Sequence, residues 1–230
     1  MSSAQYTDAK YYEAVAPRSL SERLMVVARD RIYADFLRCC QPAPDDTILD
    51  VGVSDVVNDG ANVIERKYPH PERITAAGLG TAEDFQHAFP AVTYVRIEAN
   101  RRLPFADRSF AIATSNAVLE HVGSHGNQIA FVAELLRVAQ KVFVSVPHRY
   151  FPVEHHTAIP LLHFRDGSFA RACRLLGKSE WAEERNLILM TRRRLRGLVP
   201  PRRAAVIDTT GIPLGPLSSN LFLFFPPVSQ

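Results

Sequence analysis

An α/β fold, built on a doubly wound parallel sheet and closed by an antiparallel hairpin, is what this sequence predicts. Three observations carry it. Short apolar runs alternate with helical stretches at the spacing of strand–helix–strand units. Residues 141–146, KVFVSV, are almost continuously apolar, as expected of a strand covered on both faces. The last two apolar runs are joined only by the Gly/Pro-rich GIPLGPLSS, which leaves no room for a crossover helix, so they must pair antiparallel. Five parallel strands and this pair make a seven-stranded sheet.

The elements follow in order. Residues 1–18 are polar and aromatic, with Tyr6, Tyr11 and Tyr12 spaced to share a helix face, and read as an N-terminal arm. Ser19 or Ser21 caps the next helix, whose apolar face comprises Leu24, Val27, Ile32 and Phe36. QPAPDD ends it. Residues 47–51 form a strand leading into Gly52, and a helix follows over about 58–66. A second strand covers 73–77, with a helix from about 81 to 88; the third and fourth strands cover 91–97 and 110–115. The helix over about 128–138 puts Ile129, Val132, Leu135 and Leu136 on one side. The hairpin strands cover 204–210 and 220–225. No repeat or linker interrupts the pattern, so residues 1–230 read as one domain, with 1–40 a helical arm and 45–230 the sheet core.

Composition sets bounds on function. A chain of 230 residues, 47% hydrophobic and 22% charged, is an ordinary globular domain, and a net charge of +3 does not argue for nucleic acid or membrane. Three cysteines, two of them adjacent (Cys39, Cys40), make neither a disulfide framework nor a zinc motif, which points to a reducing cytoplasm. MSSAQYTDAKYY lacks the apolar core of a signal peptide, and LFLFF is too short to span a bilayer. The basic run Arg192, Arg193, Arg194 and Arg196 reads as a solvated helix surface, with an RNA or anion patch as the rival.

The run LPFADRSFAIATSNAVLEHV, residues 103–122, reads as a turn, a buried strand and a polar strand end opening into a helix. Strands of this kind build the ligand crevices of open α/β sheets. Its LPF-x-D-x-SF lead and the following EHV resemble the class I S-adenosylmethionine-dependent methyltransferases, in particular the small type 11 methyltransferase domains. Ala111 stands where that family usually has Asp. FPVEHHT, IPLLHF and SSNLFL are similar to one subgroup of those domains, so the resemblance spans roughly residues 30–225. It implies a Rossmann-like fold, S-adenosylmethionine as cofactor, and methyl transfer.

The resemblance also implies a set of cofactor residues. Asp50, Gly52 and Ser54 lie in DVGVSD after the first strand, where a sharp turn and close cofactor approach both favour glycine. Ser54 replaces a glycine common in the family. Gly78 and Leu79 end the second strand, where the family carries an acid for the ribose hydroxyls; backbone groups or Glu83 are the alternatives for that role. Glu98 and Ala99 occupy the adenine region, although Glu98 can equally face solvent. Ser115 and Asn116 end the fourth strand, under the methionine moiety, and Asn116 is also a candidate helix cap.

At the reacting end, five of the eight histidines fall in two segments after the carboxyl ends of neighbouring strands. His121, His155 and His156 are the catalytic candidates, as acceptor-side bases; structural roles, with backbone hydrogen bonds, are the alternative. A metal on Glu154, His155, His156 and His163 is set aside, because adjacent histidines in a strand point to opposite faces. The expected acceptor is a small or glycan-like molecule. Ser54, Gly78 and Ala111 motivate one rival, a binding protein without turnover. RNA methylation through the arginine run is the other. Gly52→Val is expected to abolish cofactor binding and leave the protein folded. The oligomeric state stays open.

Overall fold

The computed structural model describes residues 20–55, 57 and 60–228. The N-terminal arm and the Ser19/Ser21 cap lie outside the described residues and side chains. Helix α1 (Leu20–Cys40) leads to β1 (Ile48–Val51), α2 (Val63–Lys67), β2 (Ile74–Gly78), α3 (Glu83–Ala88) and β3 (Thr93–Arg96). Then come β4 (Phe110–Asn116), α4 (His125–Val138) and β5 (Ala139–Pro147). An insertion carries α5 (Asp166–Leu175) and α6 (Arg192–Arg196) before β6 (Val206–Thr210) and β7 (Asn220–Phe225).

The sheet has seven strands in the order β3-β2-β1-β4-β5-β7-β6. The first five pair in parallel, with Ile48 opposite both Ile74 and Ile112. Strand β7 runs antiparallel between β5 and β6, as the short GIPLGPLSS connection requires. Strand order reverses at β1, whose neighbours are β2 and β4, so a crevice opens beyond their carboxyl ends.

Alternation along the strands divides the core between the two sheet faces. On one face Leu49, Val51, Ala113, Val142, Val144 and Leu223 pack against α4 and α6. On the other, Ile48, Ile74, Ile112, Phe143 and Phe222 meet Ile32, Phe36 and Cys40 of α1. A third cluster, including Ile159, Phe169, Cys173 and Trp181, holds the insertion after β5. Among the described residues, no helix is long and apolar enough to cross a membrane.

Two helix faces differ from the sequence reading. On α1, Ile32 and Phe36 are buried but Leu24 and Val27 are exposed; the buried line is Ala28, Ile32, Phe36 and Cys40, a strict i+4 ridge. On α4, Ile129 is exposed and Gln128 is buried beside Val132, Leu135 and Val138. Gln128 donates its amide N–H to the Leu119 carbonyl at 2.9 Å, so a polar side chain with its donor end bonded takes the place expected for Ile129. The 58–66 helix begins only at Val63, after Asn62 in the left-handed region (φ 52°).

Candidate active site

Gly52 ends β1 with φ 98°, a conformation L side chains rarely adopt. Its N–H donates to the Ala77 carbonyl at 2.7 Å. A Cβ at this position would lie 2.2 Å from Val118 Cγ2. Ala117, itself in the left-handed region (φ 57°), precedes Val118 where the chain turns after β4. The Gly52→Val side chain therefore intrudes on the turn at Val118. Ser54 is buried, and its backbone is clasped by the Asn62 amide, which accepts from its N–H and donates to its carbonyl at 3.1 and 2.8 Å.

Asp50, Gly52, Ser54 and Asn116 line one cavity, together with Arg29 and Tyr33 of α1. The sheet's pleat turns Asp50 to the same face as Ile48, towards α1 and α2. Burial raises the carboxyl pKa of both Asp50 and Glu65, and the two groups influence each other, with Arg29 pulling Asp50 the other way. Arg29 is 5% exposed, and its Nη1 has no hydrogen-bond partner among the described residues. The pair and the guanidinium are a buried charge cluster at the crevice floor.

Ser115 is fully buried and donates its hydroxyl to the Val51 carbonyl at 2.8 Å, tying β4 to β1 rather than facing the cavity. Asn116 accepts from Ser145 Oγ at 2.5 Å, leaving its amide donors for other partners. It caps no helix: Val118 precedes the 3-10 turn Leu119–His121, and Ser124 caps α4.

The ribose and adenine candidates sit apart from this cavity. A Cβ on Gly78 would lie 2.9 Å from the Tyr94 hydroxyl and 3.1 Å from the Val53 carbonyl, so the missing acid has no room there. Tyr94 donates to the Gly80 carbonyl at 2.9 Å, closing the chain just after Gly78 and Leu79. Glu83 is exposed in the first turn of α3. The Glu98 side chain is 83% exposed and reaches Arg101 only at 3.9 Å, and Ala99 is also exposed.

The LPF-x-D-x-SF lead is an architectural clasp. Arg137 of α4 donates to the carbonyls of Leu103 and Phe105 and to Asp107 and Glu134, at 2.7 to 3.0 Å. Glu134 in turn accepts from the Leu103 N–H at 2.9 Å. Ala111 packs with the α1-side core.

The reacting-end histidines form a chain. His121 Nδ1 meets the Asn186 carbonyl at 2.7 Å and so carries the proton there. Its Nε2 faces His156 Nε2 at 3.0 Å. His156 Nδ1 lies 2.9 Å from Glu154 Oε1, whose other oxygen accepts from the His156 N–H and from the Thr157 N–H and hydroxyl. Burial alone would raise the Glu154 pKa, but the charge and hydrogen bonds of His156 and those of Thr157 hold it well below the usual range. With Nδ1 donating to Asn186, His121 Nε2 turns a lone pair towards His156 Nε2. Burial, with the neighbouring His156 charge, lowers the His121 pKa to about 3.

Glu120, next to His121, is 1% exposed, and among the described residues neither carboxylate oxygen has a hydrogen-bond partner. Burial pushes its pKa up to about 7. His155 stands outside the chain, its Nε2 buried without a partner and its pKa lowered by burial to about 4. The Glu154–Thr157 segment is a turn closed by Ala158 N–H on the Glu154 carbonyl, not a strand. The argument from opposite strand faces therefore falls, and with it the ground for setting a metal aside. The groups brought together are Glu120, His121 and His156 rather than Glu154, His155, His156 and His163.

Arg29, Glu65, Tyr94 and Val118 were not among the sequence candidates. Arg29 had one signal, a charge beside the apolar line Ala28–Ile32–Phe36. Arg192 of the basic run donates to the Ile207 carbonyl and to Asp208, both at 2.9 Å, so part of that run is tied to β6.

No protein-family model matches the chain, and no curated protein matches it in sequence. Solved structures do match. A Rhodobacter sphaeroides protein described as a candidate zinc-dependent alcohol dehydrogenase gives a TM-score of 0.60 at 13% identity, over 97% of this chain and 98% of that one. The N-methyltransferase NodS of Bradyrhizobium japonicum, in complex with S-adenosyl-l-homocysteine, gives 0.57 at 10% identity over 93% and 90%. A methyltransferase of Aquifex aeolicus gives 0.55 at 12% identity over 96% and 98%. At these identities the likeness shows the fold: this chain has the class I methyltransferase architecture, a Rossmann-like sheet with the antiparallel β7. The description of the first neighbour differs from the others in chemistry, as one architecture can host several.

Proposed function

We propose that the chain binds S-adenosylmethionine beyond the carboxyl ends of β1 and β4 and transfers its methyl group to a small polar or glycan-like acceptor. One observation carries the reading: Asp50, Gly52, Ser54 and Asn116, implied by separate motifs, line a single cavity at the point where strand order reverses. The methionine end fits these residues. Asp50 can accept from an ammonium group, and the free Asn116 amide donors suit a carboxylate. The ribose end lacks its usual acid, because Tyr94 fills the space beside Gly78.

When bound, the cofactor supplies a methyl on a sulfonium, an electrophile that needs alignment more than activation. The chain's own residues do the rest. Arg29 and Tyr33 of α1 line the cavity from the side. The Leu119–His121 turn, directly after β4, sets polar groups where an acceptor can approach. His121 reaches this position with Nδ1 fixed by Asn186, so its ring orientation is set before any acceptor arrives.

Isothermal titration with S-adenosylmethionine and S-adenosylhomocysteine tests the reading. Saturable binding of both at one per chain, lost or at least tenfold weaker in Asp50→Asn, is the expected result. Absence of heat and of any thermal shift with either ligand would end the methyltransferase reading and leave only its fold.

A further inference from the structure

We propose that Glu120, His121 and His156 form a binding site for a divalent transition-metal ion, with zinc the best fit. The three ligand atoms lie within 4.8 Å of one another: His121 Nε2, His156 Nε2 and a Glu120 carboxylate oxygen. The two imidazole nitrogens are 3.0 Å apart, and Glu120 Oε1 is 4.0 Å from His121 Nε2. Tetrahedral zinc with ligands at about 2.0–2.1 Å places its donor atoms about 3.3 Å apart. The rings need to part by a few tenths of an ångström, and the carboxylate to swing in by somewhat more.

Three features separate this cluster from a chance meeting of polar groups. Each histidine is oriented through its far nitrogen, His121 by the Asn186 carbonyl and His156 by Glu154, which is how metal-bound imidazoles are usually held. Both Nε2 atoms then face the same point. Glu120 is buried beside that point with both oxygens unpartnered among the described residues, and burying a carboxylate unsatisfied is costly. An ion would satisfy all three groups at once. Two imidazoles with one carboxylate favour zinc, cobalt, nickel or iron over magnesium and calcium, which prefer all-oxygen shells.

Trp181 covers the cluster, its ring 5.1 Å from His156 and 6.4 Å from His121. The other side opens to a cavity lined by Glu120, His148, His155, Leu187 and Met190, so an ion would keep a position for water or an acceptor oxygen. The proposal stands on this cluster alone and does not require methyl transfer.

The test is titration of chelator-treated full-length protein with zinc chloride by calorimetry and with cobalt chloride by visible absorption. One ion per chain is expected, with the intense visible band of four-coordinate cobalt. His121→Ala and His156→Ala should each weaken binding at least a hundredfold, and the conservative Glu120→Gln at least tenfold. Glu154→Gln, which touches the ion only through His156, should weaken it about 10–100-fold. His125→Ala, on the exposed start of α4, should leave it unchanged. Circular dichroism establishes that each variant is folded; if both alanine variants unfold, Glu120→Gln and Glu154→Gln decide. No saturable binding in the wild-type protein, or binding unchanged in the folded Glu120 and Glu154 variants, overturns the proposal. Titration of the same samples with S-adenosylhomocysteine separates the two ideas, since cofactor binding without metal binding refutes only the ion site.

Discussion

Substituting Gly52 with alanine tests the turn at the heart of the candidate site. Two costs are readable from the structure. A φ of 98° imposes about 1–2 kcal/mol on any L residue. The new Cβ also lies 2.2 Å from Val118 Cγ2, and relieving such overpacking costs about 1–3 kcal/mol. Together they predict roughly 2–5 kcal/mol in the wild-type background. Val118→Ala removes the offending methyl and leaves Val118 Cβ at 3.2 Å, so in that background the cost should fall to little more than the backbone share. The double-mutant cycle should therefore show coupling of about 1–2 kcal/mol. Urea unfolding followed by the single tryptophan, Trp181, measures each variant. Equal costs in the two backgrounds would show that Val118 does not occupy the glycine's missing side-chain volume. Calorimetry with S-adenosylhomocysteine on the folded double variant then reads the cofactor share separately. If stability returns and binding does not, the glycine serves ligand approach as well as the turn.

Two further outcomes follow from the packing and the charges. Arg137→Ala should cost about 2–3 kcal/mol, because it breaks charge-assisted bonds to two carbonyls and two carboxylates. Hydrogen exchange should quicken first over residues 103–109, and uniform exchange across the chain would contradict the clasp. Burial raises the pKa of Asp50 and Glu65 in the folded state, so the folded protein binds protons more tightly than the unfolded chain. The resulting stability is present at acidic pH, below the ordinary carboxyl range, and is lost as pH rises through the raised folded values, by up to about 1.4 kcal/mol per pH unit per proton. Glu65→Gln cannot ionise and should flatten that slope in urea titrations between pH 5 and 8; an unchanged slope would assign the pH dependence elsewhere.

The sheet was legible because its signals are local and repeat. Residues 141–146 are almost continuously apolar because both faces of β5 are covered, and GIPLGPLSS is too short for a crossover, so β7 had to turn back. Helix faces were less legible. Gln128 hid the true face of α4 by burying an amide whose N–H Leu119 accepts, which no hydrophobic pattern records. The site was half legible. Asp50, Gly52 and Asn116 sit in strand-end motifs, whose position the topology fixes. Arg29 and Glu65 reach the same cavity region from helices that look like ordinary surface in sequence, and Tyr94 fills the Gly78 space from the neighbouring strand. The pairing of His121 with His156 joins residues 35 positions apart through a turn, and no spacing rule announces it.

The unusual ribose end and the charged floor of the cavity belong to one argument. A class I architecture ordinarily anchors its cofactor through an acid after β2, and here Tyr94 denies that position. The acidic groups near the crevice lie instead behind Gly52, where Asp50 and Glu65 outnumber Arg29. Burial penalises charge on both carboxyls and raises their pKa, a cost the pair relieves by holding a proton. A ligand carrying positive charge at its amino-acid end would relieve it equally well. Anchoring would then shift from the ribose to the methionine end, which is also the end that must be held still for the methyl to meet its acceptor. On this view Gly78 is not a lost contact in a failing site. It would mark a site whose electrostatic grip lies next to the reacting bond.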